Sequence, residues 1–325
     1  MVPGAAMRWG RLCTVRECWK LFVPTRQPTP GLGGLRGFFT CAKLLRCADA
    51  LICKGGASIT AGTAALVARK PLIIWHEMFR PERGSFTPRQ HLLRPLRALV
   101  VRYAYQHVAV SQACLDSQRI PPSRPAVVIH NPVLPEIAAA APQSRGRNVQ
   151  PAFDILFVGR MVPSKGVGVL VQALLEIERS QFPLRVCLVG DGEEKETVAT
   201  GLRHCEHIRL SMKGELRVKE LVEVYKQSRC LVLPNTHPEG MGLVFVEALA
   251  FGLPVITADH PGVRDIVGDA ALTFPNRDAS RLARTIQFLL NTPAVYQALS
   301  AKAAARARQF SFSAYVKAIR EHVLC

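Results

Sequence analysis

Two glutamates eight residues apart are the side chains whose type and spacing most suggest chemistry. Glu239 lies in a Pro/Gly loop after the apolar run 230–234, and Glu247 lies on the helix that this loop is expected to open. A helix N-terminus presents unpaired N–H groups and a partial positive charge, so it can hold a phosphate while two acids bind hydroxyl groups beside it. This arrangement suits a nucleotide-sugar. Taken alone, this spacing is more often that of a loop glutamate followed by an ordinary helical one.

Two cations follow the first strand-like run of the second half. Residues 154–159 read as a buried strand, and Arg160 and Lys165 lie just beyond its carboxyl end, where open parallel sheets bind ligands. An arginine can make a forked contact with phosphate oxygens, and a lysine adds a point charge. Either residue alone is more simply a solvated cation. The pair beside Gly159 predicts a phosphate site.

These residues belong to an ordered set that resembles glycosyltransferase family 4. The set includes Val189-Gly190-Asp191-Gly192, Lys213-Gly214-Glu215-Leu216 and the run 250–256, and it covers residues 153 to 325. The resemblance implies a retaining, nucleotide-sugar-dependent enzyme of the GT-B fold. It implies that the two cations hold the donor diphosphate, that the first glutamate contacts the transferred sugar, and that the second glutamate binds the nucleotide ribose.

A histidine completes the residues expected to act in catalysis. His76 ends the strand-like run 70–77, at a place where members of the family often carry a histidine that contacts the transferred sugar. A histidine that merely caps a strand end is the alternative. By resemblance, the expected catalytic residues are His76, Glu239, Arg160 and Lys165.

Glycines and the N-terminus of one helix are expected to line the donor-binding site. Glycine lets backbone amides approach a phosphate closely. The Gly-rich stretch 30–34 resembles the family's first glycine loop, although a flexible N-terminal loop explains it equally well. The expected donor contacts are Gly33, Gly34, Gly159, Arg160, Lys165, Gly190, Gly192, Gly214, Glu239, Gly240, Met241, Gly242, Leu243 and Glu247.

Strand-like and helical runs alternate along the chain, which predicts an α/β fold with parallel, doubly wound sheets. The GT-B resemblance implies two Rossmann-like domains facing each other across a cleft. The first domain is expected to be reduced, because the strand-like run 50–55 follows the Gly-rich stretch almost at once. The predicted bounds are an acceptor-side domain at 1–140, a linker at 141–152, and a nucleotide-sugar domain at 153–325 whose final helix crosses back.

The charge of this 325-residue chain is unevenly divided. Residues 1 to 150 carry 21 Lys and Arg against 6 Asp and Glu, a net of +15, whereas residues 151 to 325 carry a net of +3. Basicity on the acceptor side predicts an anionic membrane surface or a pyrophosphate-linked glycan as a partner. Nucleic acid is the rival partner, but no zinc-finger spacing, aromatic strand motif or basic helix repeat supports it. A solubilising surface is the remaining alternative.

The sequence does not favour a disulfide framework, a metal or cofactor site, a membrane span or secretion. Ten cysteines without a C-x-x-C pair suit reduced cytosolic thiols. No Asp-x-Asp occurs, so we expect no metal and no cofactor, the nucleotide-sugar being a co-substrate. Neither an apolar run of about 20 residues nor a clean signal peptide is present, which predicts a cytoplasmic protein bound peripherally to the inner face of the membrane.

The predicted activity is transfer of a hexose, with retention, to a hydroxyl group of a glycan or lipid-linked acceptor, as in polysaccharide biosynthesis. The donor is expected to be a UDP-, GDP- or ADP-sugar. Two alternatives stay open from the sequence. One is a sugar-nucleotide epimerase of the same fold, and the other is a non-catalytic subunit that binds a glycan or nucleotide-sugar.

Overall fold

The structure is a computed structural model that describes residue 39 and residues 49–54, 58–79, 92–141 and 151–323. The chain divides into two compact units. Residues 1–130 and 316–325 form the first unit, and residues 131–315 form the second.

The first unit contains a four-stranded sheet whose strands are all parallel and follow chain order. Its strands are β1 (Leu51–Lys54), β2 (Leu72–His76), β3 (Gln106–Ala109) and β4 (Ala126–Val128). Its connecting helices are α1 (Ser58–Val67), α2 (Arg94–Tyr103) and α3 (Gln112–Asp116). Every residue of β2 and β3 is buried, as expected for central strands of a parallel sheet covered on both faces.

The second unit contains a six-stranded parallel sheet in the order β10-β9-β8-β5-β6-β7. Its strands are β5 (Phe153–Val158), β6 (Leu184–Val189), β7 (Ile208–Met212), β8 (Ser228–Leu233), β9 (Val255–Ala258) and β10 (Ala271–Phe274). The chain builds β5 to β7 outward in one direction and β8 to β10 outward in the other. The topological switch point therefore lies between β5 and β8.

Helices cover the second sheet. They are α4 (Pro135–Ala140), α5 (Val167–Arg179), α6 (Lys195–Gly201), α7 (Val218–Lys226), α8 (Leu243–Ala250), α9 (Pro261–Val267), α10 (Ala279–Asn291) and α11 (Pro293–Ala307), followed by α12 (Phe312–His322), which spans the boundary with the first unit. In α5 the buried residues are Val167, Leu170, Ala173, Leu174 and Ile177, an apolar stripe of helical period. That stripe explains why this segment is a helix that covers the sheet.

The sequence predicts strands in the second half at 154–159, 184–190, 208–214, 230–235, 254–259 and 271–274. The structure confirms them as β5 to β10, with ends that differ by at most two residues. The final helix is confirmed as well, since Ser311 Oγ caps it by accepting from the backbone N–H of Ala314 at 3.2 Å. The glycine loop with Gly33 and Gly34 lies outside the described residues. The reduction of the first domain therefore stays a prediction.

The first compact unit ends at His130, whereas the predicted first domain ends at residue 140. The segment 131–141 groups with the second unit because α4 packs against α7 and α8. At the other terminus, residues 316–325 group with the first unit. No helix in the described part of the chain is both long and apolar enough to span a bilayer.

Candidate functional site

The candidate site lies at the switch point of the second sheet, where the loops after β5 and β8 leave neighbouring strands. The two loops contact each other directly. The Thr236 backbone N–H donates to the carbonyl of Ser164 at 3.0 Å, and its hydroxyl donates to the carbonyl of Pro163 at 3.0 Å. The edge that parallel sheets commonly use for ligands is thus formed by two interlocked loops.

One glycine allows this close approach. Gly166 ends the 3-10 turn Pro163–Lys165 in the left-handed region, with φ of 71°, and it begins α5. A Cβ atom at this position would collide with the backbone carbonyl of Pro234. Any other residue would strain the turn and push the β8 loop away from Lys165.

The interlocked loops bring Lys165 and Glu239 together as an ion pair. Their side chains are 24% and 19% exposed, so the pair is largely withdrawn from water yet still accessible. Burial lowers the pKa of Lys165, and the positive charge of Arg160 lowers it further. Arg160 itself is exposed and makes no ion pair with any described residue. Lys165 is therefore paired with a carboxylate while Arg160 is not, which leaves positive charge for an anionic ligand.

The Glu239 carboxylate also lies against the start of α8. Gly242 has φ of 67°, and a Cβ atom there would lie 2.6 Å from Glu239 Oε2. Gly242 is thus required both by its backbone conformation and by the carboxylate beside it. The N–H of Phe245 in the first turn of α8 donates to the carbonyl of Gly242 at 3.0 Å, and the N–H groups that begin a helix are those that lack a partner one turn earlier. Gly240 and Met241 are buried in this turn, while Leu243 is exposed.

Glu247 lies within α8, about one turn beyond its start. The residue is only 8% exposed, and Oε2 accepts a hydrogen bond of 2.8 Å from the Tyr225 hydroxyl on α7. Burial raises the pKa of Glu247, and the bond from Tyr225 partly opposes that effect. The orientation of Glu247 is therefore fixed by a fully buried tyrosine that the motif itself does not contain.

The glycines after β5, β6 and β7 pack these strand ends together. A Cβ atom at Gly190, whose φ is 126°, would collide with the carbonyl of Gly159. Gly192 is similarly placed against the carbonyl of Met161, and the N–H of Gly190 donates to the carbonyl of Gly214 at 2.7 Å. These glycines are needed for the packing of one loop on another, whatever contact they make with a ligand.

Asn235 is a site residue that the sequence reasoning missed. It lies two residues after the end of β8, between the two residues that contact the 163–166 turn, and it is fully buried. Neither the oxygen nor the nitrogen of its side-chain amide has a hydrogen-bond partner among the described residues. Buried side-chain amides rarely lack a hydrogen-bond partner. Its position at the same sheet edge as Arg160 was the only signal in the sequence.

His76 lies in the first unit, at the carboxyl end of β2, and it is 8% exposed. Its ring is bonded to His107 on β3, with Nε2 and Nδ1 3.0 Å apart. The structure thus brings Lys165, Glu239 and Gly242 together in the second unit, and it places His76 with a histidine that the sequence did not single out. Among the described residues, no cluster of His, Cys, Asp or Glu has a geometry able to hold a metal ion.

Comparison with known proteins places this geometry in a family. Residues 143–309 match the family described as glycosyl transferases group 1. Phosphatidyl-myo-inositol mannosyltransferase of Mycobacterium leprae is 26% identical over 253 residues, which cover 77% of this chain and 66% of the relative. D-inositol 3-phosphate glycosyltransferase of Frankia alni is 31% identical over 183 residues, which cover 51% of this chain and 43% of the relative. The chain therefore spans less than two thirds of the length of these relatives.

The fold has solved counterparts. HepE of Anabaena, crystallised with UDP and glucose, superposes with a TM-score of 0.69 at 21% identity, over 91% of this chain and 83% of that chain. This likeness shows that the parallel α/β architecture is that of GT-B glycosyltransferases.

Proposed function

Since the chain belongs to the glycosyl transferases group 1 family, we propose that it is a retaining glycosyltransferase that moves a hexose from a nucleoside diphosphate sugar to an acceptor hydroxyl group. The observation that carries this proposal is the Lys165–Glu239 pair at the switch point, beside the start of α8 and within reach of the charge of Arg160. It combines cations for a diphosphate with a carboxylate for sugar hydroxyl groups.

The proposed reaction forms a bond between the acceptor oxygen and the anomeric carbon while the bond from that carbon to the diphosphate oxygen breaks. The hydroxyl proton passes to the leaving diphosphate on the same face of the sugar. Arg160, Lys165 and the first N–H groups of α8 stabilise the negative charge that develops on the leaving oxygen. No side chain acts as a covalent nucleophile.

The two glutamates have different roles in this proposal. Glu239 accepts hydrogen bonds from the transferred hexose, and Glu247 accepts them from the ribose of the donor. When the diphosphate binds, Lys165 is shared between Glu239 and a phosphate oxygen, so the bound anion offsets part of the desolvation cost of that buried lysine. His76 contacts the transferred sugar, as the family resemblance implies.

Asn235 joins the proposed donor site because its amide supplies one neutral donor group and one acceptor group at the switch point. A phosphate oxygen or a sugar hydroxyl group can satisfy the amide nitrogen, and a hydroxyl group can satisfy the oxygen. A polar group that is fully buried without a protein partner is explained by a ligand that supplies the partner.

The proposed partners are a UDP-, GDP- or ADP-sugar, a glycan or lipid-linked acceptor, and an anionic membrane surface in the cytoplasm. The names of two relatives, which specify inositol-containing acceptors, and the UDP and glucose bound to HepE support nucleotide-sugar chemistry with a polyhydroxylated acceptor. The exposed side of α2, which carries Leu99, Arg102 and Tyr103, supports contact with a membrane surface because it combines apolar, aromatic and basic groups.

The testing experiment is a donor screen followed by a transfer assay. UDP-, GDP- and ADP-hexoses are compared for thermal stabilisation of the purified chain, since a bound donor raises the melting temperature according to its affinity. The stabilising donor is then incubated with inositol 3-phosphate, phosphatidylinositol or an oligosaccharide, in magnesium and in a chelator. We expect transfer in both media, with the donor's anomeric configuration kept in the product by NMR.

Each other outcome of the transfer assay identifies a different activity. Conversion of the donor into a new nucleotide-sugar would identify an epimerase. Stabilisation without turnover would identify a binding subunit. Transfer that the chelator abolishes and magnesium restores would disprove the metal-free mechanism.

A further inference from the structure

A buried hydrogen bond between two helices of the second unit determines how Glu247 is presented. The Tyr225 hydroxyl on α7 donates to Glu247 Oε2 on α8 at 2.8 Å, and Tyr225 is fully buried. The tyrosine ring also stacks on Phe251, with ring centroids 5.2 Å apart and 8° between the ring planes. Phe251 directly follows the last residue of α8. The position of the hydroxyl is therefore fixed by ring stacking as well as by the bond to the carboxylate.

The two carboxylate oxygens of Glu247 differ in their surroundings. Oε2 accepts the bond from Tyr225. Oε1 has no bond to any described residue, and it is not one of the polar atoms that are closed off from water without a partner. An ionised carboxylate can only accept hydrogen bonds. Oε1 is therefore the oxygen that can accept from a hydroxyl group of a ligand.

The same bond favours the ionised form of Glu247. Burial raises the pKa of Tyr225 well above its usual value, and the charge of Glu247 acts in the same direction, so the hydroxyl stays protonated and donates. Burial also raises the pKa of Glu247, and the bond from Tyr225 opposes that rise. An ionised carboxylate accepts stronger hydrogen bonds than a neutral acid does. Tyr225 thus influences both the orientation and the charge of Glu247.

Among the described residues, Tyr225 is the ionisable side chain that acts on the pKa of Glu247. The elements in contact with α8 carry other titratable or charged groups that do not shift this pKa: Glu136 on α4, Lys219, Glu220, Glu223 and Lys226 on α7, Arg229 and Cys230 on β8, Arg264 and Asp265 on α9, Tyr296, Lys302 and Arg306 on α11, and Glu239 in the preceding loop. A change at Tyr225 is therefore expected to act on Glu247 directly.

We propose that Tyr225 is a positioning residue for the nucleotide: by holding Glu247 Oε2, it presents Oε1 in one orientation to the hydroxyl groups of the donor's ribose. The ribose contact of Glu247 rests on the proposed function. The role of Tyr225 is an addition to it, because the buried hydroxyl acts only through the carboxylate. A carboxyl group that turns or becomes protonated should distinguish ribose from deoxyribose less well.

The test compares two diphosphates that differ only in the ribose hydroxyl groups. UDP and its 2′,3′-dideoxy form are titrated calorimetrically into the full-length chain at pH 7.5, and GDP or ADP with their dideoxy forms replace them if the donor screen selects another base. The wild type should bind UDP about tenfold more tightly than the dideoxy form. In Tyr225→Phe this preference should fall to about threefold or less, while the affinity for the dideoxy form stays unchanged.

Tyr296→Phe is the matched control. It removes a hydroxyl group of the same unit that donates to the carbonyl of Arg229 at 3.1 Å, and it should keep the wild-type preference. In Tyr225→Phe, an unchanged preference, or an equal loss of affinity for both diphosphates, would overturn the positioning role and leave the proposed function standing. A wild type that binds none of the three diphosphates would instead disprove the proposed function, and the ribose contact with it.

The pH dependence of the preference gives a readout that a purely structural role would not change. Without the Tyr225 hydroxyl, the pKa of Glu247 should rise further, so more of the carboxylate is protonated as the pH falls. Between pH 8 and pH 6 the preference for UDP should therefore fall more in Tyr225→Phe than in the wild type. Using the ratio of two diphosphates cancels the titration of their phosphate groups. Glu247→Gln has no carboxyl group at this position, so its preference should not change with pH. Equal pH dependence in the wild type and the Phe variant would contradict the proposal.

A measurement on the wild type decides the question if Tyr225→Phe does not fold. The chain has five tyrosines, so ¹³C labelling of their rings gives few NMR signals, and Phe variants of the other four identify the Tyr225 signal by elimination. Saturation with UDP should shift this signal more than saturation with the dideoxy form, because the ribose hydroxyl groups and Tyr225 share one carboxylate. Equal shifts with the two diphosphates would overturn the proposal.

Discussion

The two units differ in how far the polar groups at the carboxyl ends of their strands are paired within the protein. We call these ends the first edge in the first unit and the second edge in the second unit. In the second unit, the edge at the switch point carries an ion pair in reach of water, an exposed arginine, and the buried amide of Asn235 without a partner among the described residues. In the first unit, the end of β2 carries His76, whose ring, carbonyl and following residues are bonded to neighbouring elements.

This difference separates a surface that needs a ligand from one that is already organised. Burial of charge and of an amide costs free energy unless partners compensate for it. At the second edge, protein partners compensate for only part of this cost, which is expected where an anion supplies the missing interactions. At the first edge, hydrogen bonds within the protein compensate for this cost, which is expected where one group must present a fixed hydrogen-bonding pattern.

The largest expected effect comes from removing a cation at the second edge. Arg160→Ala and Lys165→Ala should each slow transfer by about 2 to 4 kcal/mol of barrier, by analogy with removal of one donor from an oxyanion site. The measurement is kcat at saturating donor. Lys302→Ala, which breaks the exposed pair with Asp269, is the matched control and should leave the rate unchanged. Wild-type rates in both the Arg160 and the Lys165 variants would disprove the proposed diphosphate site.

Acid should weaken the first unit through its histidine pair. Each ring has a pKa of about 4 when folded, so between about pH 6.5 and 4 the unfolded chain binds more protons, and stability falls as the pH is lowered. The full effect is on the order of 3 kcal/mol for each histidine. Urea unfolding at pH 7 and 4.5 measures it. A variant with glutamine at both positions should lose less stability on acidification, and an equal loss would show that the rings are not held neutral.

The two glutamates should separate binding from chemistry at the second edge. Glu247→Ala should raise the KM for the donor by about 2 kcal/mol of binding, because the ribose is held alike in the ground and transition states. Glu239→Ala should lower kcat without raising KM, because it frees Lys165 for the diphosphate while removing a contact with the reacting sugar. Glu247→Gln, which can still bond Tyr225, controls for loss of folding. Reversed defects would overturn the two assignments.

Asn235 tests whether the second edge is incomplete without ligand. Asn235→Ala removes two buried polar atoms that have no described partner, so the melting temperature of the free protein should stay the same or rise. Donor affinity should fall about tenfold, near 1.4 kcal/mol. The comparison variant is Asn276→Ala, which loses a bond of 3.1 Å to the carbonyl of Thr236 and should not weaken donor binding. Destabilisation without any loss of affinity would mean that Asn235 is structural.

The smallest expected effect concerns the basic surface of the first unit. Replacing Arg94 and Arg102 on α2 by Gln should weaken binding to anionic vesicles by about 1 kcal/mol for each residue near the surface, and less as salt rises. Sedimentation with vesicles of phosphatidylserine and phosphatidylcholine measures it. The exposed Arg281 and Arg284 on α10 of the second unit provide a control with the same change of charge. Equal losses in the two variants, or equal binding to neutral vesicles, would show that the charge has another role.

The sequence by itself determined the elements and the identity of most candidate residues. Buried apolar runs bounded by glycine and proline predict strands at 154–159 and 230–235, because local hydrophobic pattern and turn chemistry act over a few residues. The order of the motif residues from Gly159 to Glu247 was sufficient to indicate the family.

Tertiary structure alone decided which of these residues meet. The pairing of β5 with β8, which are separated in the chain by two other strands, places Lys165 against Glu239 and buries Asn235 between their loops. The bond from Tyr225 to Glu247 joins two helices, and the bond from His76 to His107 joins two strands. No local pattern encodes these contacts, since they arise from strand order and helix packing. The charges were therefore visible in the sequence, whereas their partners, burial and protonation were set by the fold.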